Sequence, residues 1–135
     1  MIRDLRTRRG PHSAVIPKKI NLLEKFGMFT DRWSPKVAGE VNDSSVKLVK
    51  LQGEFVWHRH EREDELFLVV KGTITIRFRD GDVRLEENEF LIVPRGVEHM
   101  PVSEKEAWVL LFEPTTTLNT GDVENERTVA KLERI

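Results

Sequence analysis

The sequence predicts an all-β sandwich or barrel with one short amino-terminal helix, and three observations carry that reading. From Ser45 to Glu113 the chain is a succession of short runs with two-residue hydrophobic alternation. Turn residues separate these runs at intervals typical of many-stranded sandwiches and barrels. Finally, His58 and His60 are one residue apart while His99 lies far downstream. On a strand, alternate side chains leave the same face, so His58 and His60 form a chelating pair. A third nitrogen from a distant strand reaches them most simply in a barrel.

Composition sets the bounds. At 135 residues the chain fits one domain and can bury a core without disulfides or a structural metal. Cysteine is absent, which excludes disulfides, zinc-thiolate sites, iron–sulfur clusters and thiol nucleophiles together. Any metal must therefore be held by nitrogen and oxygen. The formal net charge of −1 gives no global sign of a nucleic-acid partner, and none is expected. No apolar run approaches the roughly 18 residues of a membrane span. Residues 1–20 also lack the apolar stretch of a secretory signal. A cytoplasmic protein without membrane association is expected.

Taken in order, residues 1–20 form a basic arm, residues 21–118 the barrel domain and residues 119–135 a carboxyl-terminal tail. In the arm, Arg3, Arg6, Arg8, Arg9, Lys18 and Lys19 stand against Asp4 alone, a local charge of +5 against −6 for the remainder. Without interleaved aromatics it reads as a solvated terminus rather than a nucleic-acid or anionic-surface contact. Asn21 to Phe29 has Leu22, Leu23, Phe26 and Phe29 at near-helical spacing. Asn21 with Glu24 three residues on resembles a capping box, so a short helix is expected, ended by Trp33-Ser34-Pro35.

The β pattern opens with Val46 and Leu48 alternating with Lys47, with Lys50 beyond, and continues through Gly53 to His60 and Glu65 to Val70. Thr73 to Arg79 is the clearest strand: Ile74, Ile76 and Phe78 alternate with polar residues, and Asp80-Gly81 is a strong hairpin turn. Val83 to Leu85, Phe90 to Val93, Val97 to Pro101 and Ala107 to Glu113 follow. Two runs are apolar on both faces: Leu66, Leu68 and Val70 oppose Phe67 and Val69, and Trp108, Leu110 and Phe112 oppose Ala107, Val109 and Leu111. Something must cover their outer side. The candidates are the helix and a second subunit; a homodimer is expected, because one short helix cannot cover two strands. In the tail, Val129, Leu132 and Ile135 fit either a helix face or anchor points of an extended segment.

The spacing also shapes a site. Glu61-Arg62-Glu63-Asp64 is too polar to be buried and reads as a turn, after which Glu65 begins a strand returning toward the imidazoles. Pro94-Arg95-Gly96 makes a tight turn immediately before His99. Singly, each histidine reads as a surface or hydrogen-bonded core residue and Glu65 as one more solvated acid. Together, at this spacing, they read as a metal site.

At these residues the sequence resembles the cupin superfamily. The family's first motif, G-x5-H-x-H-x3,4-E-x6-G, matches Gly53, His58, His60, Glu65 and Gly72, with one residue fewer between Gly53 and His58. The second, G-x5-P-x-G-x2-H-x3-N, matches Pro94, Gly96 and His99, with Asn88 in place of its first glycine and Ser103 in place of its last asparagine. Asn88 is a mild departure, since asparagine tolerates positive φ. Asn21 to Pro35 and Asn119 to Gly121 are similar to small single-domain bacterial cupins labelled as like mannose-6-phosphate isomerase. A shared fold does not fix a reaction. The resemblance implies a double-stranded β-helix of the jelly-roll kind, with residues 21–118 as the cupin domain, and it places His58, His60, Glu65 and His99 at the four metal-ligand positions.

Three imidazoles and a carboxylate suit one divalent transition metal ion: Mn, Fe, Co, Ni, Cu or Zn. On a six-coordinate ion they leave two positions for a small-molecule ligand or substrate, or for substrate and dioxygen. The first expectation is a metal-dependent enzyme of isomerase or oxygenase type on a small polar metabolite. The competing one is a non-catalytic binding or sensing module, and a third is a purely structural ion. Parity selects Val56, Phe67, Phe78, Trp108 and Phe112 as wall residues. No general base is identifiable; Glu98 should point away from the site, and Arg95, Glu61 and Glu63 read as surface groups.

Overall fold

The computed structural model describes residues 15–135. Arg3, Arg6, Arg8 and Arg9 of the basic arm lie outside the described residues; Lys18 and Lys19 are exposed. The elements are α1 (Leu22–Phe26), β1 (Lys36–Val41), β2 (Ser44–Glu54), β3 (Glu65–Lys71), β4 (Ile74–Phe78), β5 (Gly81–Leu85), β6 (Phe90–Val93), β7 (His99–Pro114) and β8 (Glu133–Arg134). The fold is the all-β jelly-roll barrel with a short amino-terminal helix. Among the described residues no helix is long and apolar enough to cross a membrane.

β7 organises the barrel. The sequence suggests two strands, Val97 to Pro101 and Ala107 to Glu113, but one 16-residue strand runs from His99 to Pro114. Its first residues pair antiparallel with β4 (Phe78 opposite His99) and its later ones with β3 (Leu66 opposite Phe112). Along its other edge it pairs with β2. The β4–β5 hairpin forms as expected, although Phe78 pairs with Gly81, so Arg79-Asp80 is the two-residue loop.

The inner core gathers Val49, Leu51, Phe67, Val69, Ile74, Ile76, Ala107, Val109 and Leu111. A second cluster lies outside the sheet, where Phe26, Phe29, Ala38 and Leu48 pack with Trp108, Leu110 and Val70. Asn21 caps α1 by accepting a hydrogen bond from the Glu24 amide at 2.9 Å. The helix ends at Phe26 rather than Phe29, and its one buried residue stacks on Trp108 with ring centroids 5.0 Å apart. Lys50 is buried between Phe29 and Trp108, with Nζ donating to the Phe29 carbonyl at 2.6 Å. In the tail no helix forms; β8 pairs parallel with β1, and Ile135 joins the outer cluster.

The helix covers only part of that outer face. Leu66 is flanked by Ile92 and Phe112, and Leu68 by Phe90. Of these, Phe90 is 60% and Ile92 50% exposed.

Phe26 is fully buried, so Phe26→Ala leaves a cavity between helix and sheet. It is expected to cost about 3–5 kcal/mol of stability, measured by urea denaturation.

Candidate metal centre

His58, His60, Glu65 and His99 are brought together: all four are buried, and one ligand-capable atom of each lies within 4.8 Å of all the others. Backbone pairing sets the positions. His58 and His99 exchange both amide–carbonyl hydrogen bonds, at 3.0 and 2.9 Å. They form the closed pair of an antiparallel ladder although β2 itself ends at Glu54. His60 is held by its carbonyl, which accepts from the Gly96 amide at 2.7 Å. The expected regular strand through Gly53 to His60 is therefore reduced to a single bridge at His58, and the His58 and His60 rings converge almost perpendicular at 5.0 Å. Glu65 enters as the first residue of β3, opposite Val93. The Asp64 carboxylate accepts from the Arg95 amide at 2.9 Å, tying the acidic turn to the Pro94–Gly96 turn.

The two departures of residue type from the second motif have local explanations. Asn88 adopts φ 71, the left-handed conformation for which glycine is usually chosen. Ser103 is buried, and its hydroxyl donates to the Thr73 carbonyl at 3.0 Å.

Hydrogen bonding settles the tautomers of His58 and His99. Nδ1 of His58 is 2.8 Å from the Val56 carbonyl and Nδ1 of His99 is 2.9 Å from the Val97 carbonyl. A carbonyl only accepts, so each Nδ1 donates and each Nε2 carries a lone pair in the neutral ring. Nε2 of His60 and Nε2 of His99 both lie 3.2 Å from the same oxygen, Oε1 of Glu65. The His60 nitrogen is buried without a hydrogen-bond partner. The His99 lone pair is repelled by the carboxylate oxygen it faces unless a cation sits between them, and the same cation would give the His60 nitrogen a partner. Donors on an ion at about 2.0–2.1 Å are separated by roughly 3.0–3.4 Å, the spacing of these two pairs, and the four residues together could hold a divalent ion.

Burial, followed by the charge of His99, pushes His58 down to about 4. Burial alone would raise Glu65, but the His60 and His99 imidazoles, with Glu113 beside it, outweigh burial and hold the carboxyl well below the usual range. Glu113, buried beside Glu65, is pushed well above that range, with Lys47 opposing.

A pocket opens over His58 and Glu65. Trp33, Val49, Leu51, Phe55, Phe67 and Leu111 form its apolar wall, and Asn119 is the further polar group on its lining among the described residues. Of the expected wall, Phe67 lines this pocket. Phe78 packs nearby against the inner core and His99. Trp108 belongs to the outer cluster and Phe112 is partly exposed on the outside. β7 is apolar on both faces, so alternation cannot tell inside from outside there. Glu98 points away, paired with Arg79 at 2.8 Å.

Sequence reasoning missed Trp33 and the tail. Trp33 stacks on Phe55 at 4.7 Å and sits at φ 61. That conformation costs a residue with a Cβ about 1–3 kcal/mol; backbone and indole hydrogen bonds to Lys50 and Gln52 hold it. In the tail, Arg59 and Asp122 exchange hydrogen bonds at 3.0 Å. A Cβ on Gly121 would lie 2.2 Å from the Arg59 carbonyl oxygen. Only glycine lets the tail press on the His58–Arg59 backbone.

Barrel and cluster together define a small jelly-roll protein with a metal-competent interior. The chain belongs to the cupin family: the cupin domain model matches residues 46–113. The uncharacterized protein YdbB of Bacillus subtilis strain 168 is 43% identical over 83 residues, which cover 61% of this chain and 74% of YdbB. A cupin-2 domain containing protein from Shewanella frigidimarina NCIMB 400 superposes with a TM-score of 0.70 at 46% identity, covering 70% of this chain and 93% of that one. Protein NMB1881 from Neisseria meningitidis superposes at 0.67 with 30% identity, covering 73% and 100%.

In the metal-free protein the His58 ring is expected to titrate near 4 rather than 6.5, read from its NMR shifts. Because the folded value is depressed, this histidine's contribution to stability is complete above pH 6.5 and is lost as pH falls toward 4. The difference in unfolding free energy between wild type and His58→Gln should shrink by about 3 kcal/mol across that window.

Proposed function

We propose that the chain is a metal-dependent enzyme of isomerase or oxygenase type acting on a small metabolite, with one divalent ion held by His58, His60, Glu65 and His99. The observation that carries the reading is the meeting of two imidazole Nε2 atoms on one buried carboxylate oxygen, each at 3.2 Å. A cation among these donors would satisfy the buried His60 nitrogen, which has no hydrogen-bond partner. Bound there, the ion supplies Lewis acidity toward a carbonyl, or a site for dioxygen. The chain's own residues do the rest. His58 and Glu65 present the polar end of the pocket, while Trp33, Phe55, Phe67 and Leu111 enclose the body of a ligand and exclude water. A metabolite with a polar end and a compact apolar body suits that division.

The second reading, a non-catalytic binding or sensing module, is favoured by a specific observation. Among the described residues lining the pocket, no acid or base stands apart from the ligand set.

Elemental analysis of protein purified without added metal should find about one divalent ion per chain, lost in His58→Ala. A metal-free wild type would sink both readings of the site. Turnover of a metabolite panel under air and under argon then separates enzyme from module, because a module gives saturable shifts in melting temperature without product.

The uncovered outer face supports a homodimer. In this proposal a second copy packs over Leu66, Leu68, Phe90, Ile92 and Phe112, the part of the sheet that α1 does not reach. Light scattering after gel filtration should show a dimer for wild type and a monomer for Ile92→Lys, with metal content unchanged; a monomeric wild type would contradict it.

A further inference from the structure

Two charged residues buried inside the barrel have no part in the reading so far. Lys47 is 2% and Glu113 3% exposed. Lys47 Nζ donates to Glu113 Oε2 at 2.7 Å and to the Thr117 carbonyl at 3.4 Å. The strand registers explain where they sit. β3 and β7 pair Leu66 with Phe112 and Phe67 with Leu111, so Glu65 and Glu113 are the next cross-strand neighbours on the inner face. β2 and β7 pair Lys47 with Leu111 and Ser45 with Glu113, which sets Lys47 diagonally beside Glu113. The Glu65 and Glu113 side chains therefore stand side by side on the inner face, both buried. Glu113 Oε1 is buried with no hydrogen-bond partner.

Packing gives no reason for this arrangement. Replacing a buried ion pair by apolar residues of similar volume is often neutral or stabilising. What the pair does have is a place directly beside the Glu65 carboxylate. One oxygen of that carboxylate, Oε1, faces His60 and His99.

We propose that Glu113, anchored by Lys47, is a positioning residue for Glu65: fixed beside it on the inner face, it restricts how the Glu65 carboxylate turns, so that Oε1 faces His60 and His99. This rests on the reading that those four residues hold a divalent ion. Support of this kind orients a ligand and tunes the bound metal without touching it. Without it, the carboxylate can rotate and offer both oxygens, changing the coordination geometry.

The test uses cobalt(II), whose visible absorption reports ligand geometry, added to the metal-stripped full-length chain. The double variant Lys47→Met/Glu113→Leu removes both charges at once and leaves no uncompensated ion in the barrel. It should bind cobalt about 10–100-fold more weakly than wild type, with a changed spectrum. Glu113→Gln should keep the wild-type spectrum and nearly the wild-type affinity, since its amide keeps the shape of the carboxyl and its oxygen can still accept from Lys47. Should the double variant not fold, Glu113→Asp withdraws the carboxyl by one methylene and should change the spectrum. Melting temperatures of the metal-free proteins report folding separately. An unchanged spectrum and affinity in the folded double variant, or an unchanged spectrum in Glu113→Asp, overturns the positioning role while leaving the site reading intact. Failure of wild type to bind cobalt, or equal binding by His58→Ala, overturns both.

Discussion

The fold depends on one strand being long enough to serve two sets of partners. β7 begins at His99, beside β4 and the His58 bridge, and ends beyond Glu113, beside β3. Its opposite edge is committed to β2 along most of that length. Backbone hydrogen bonding along this strand fixes register, and register fixes which side chains meet. The segments bearing His58 and Glu65 are distant from β7 in sequence, yet each lies opposite it. A slip of one residue would turn His99 and Glu113 out of the barrel together.

The barrel interior is a costly place for these groups. Burial penalises charge on His58 and on both glutamates, and the buried His60 nitrogen without a partner adds to the penalty. The compensation is organised in layers. Carbonyls of Val56 and Val97 fix the rings of His58 and His99; Glu65 lies among the imidazoles; Glu113 and Lys47 lie behind Glu65. Outside the sheet, Phe26 and Trp108 clamp the helix onto the other face of the same strand, so the layer supporting the cluster is packed from both sides.

Much of this was legible in the residues themselves. The four clustered residues stand at motif spacing, Asn88 was readable as a tolerated positive-φ position, and the Pro94–Gly96 turn announces His99. These are local signals: a residue type and its neighbours suffice. The wall was not legible. In β7, Ala107, Val109 and Leu111 face inward while Trp108 and Leu110 face the helix, and both sets are apolar. Lys47 was equally misleading, because a lysine in an alternating run signals solvent, yet this one lies inside against Glu113. Trp33 and Gly121 gave no signal at all: their importance comes from Phe55 and Arg59, partners that the chain brings up from elsewhere.

The sequence by itself determined the family, the barrel, the chemistry of the four-residue cluster and the turns that lead into it, because each follows from residue type at fixed short spacing. Only the tertiary structure decided which apolar face lines the pocket, that the tail presses on His58, and that Glu113 stands behind Glu65. Those are matters of cross-strand register and of which segment covers which face, and alternation is silent about them wherever a strand is buried on both sides.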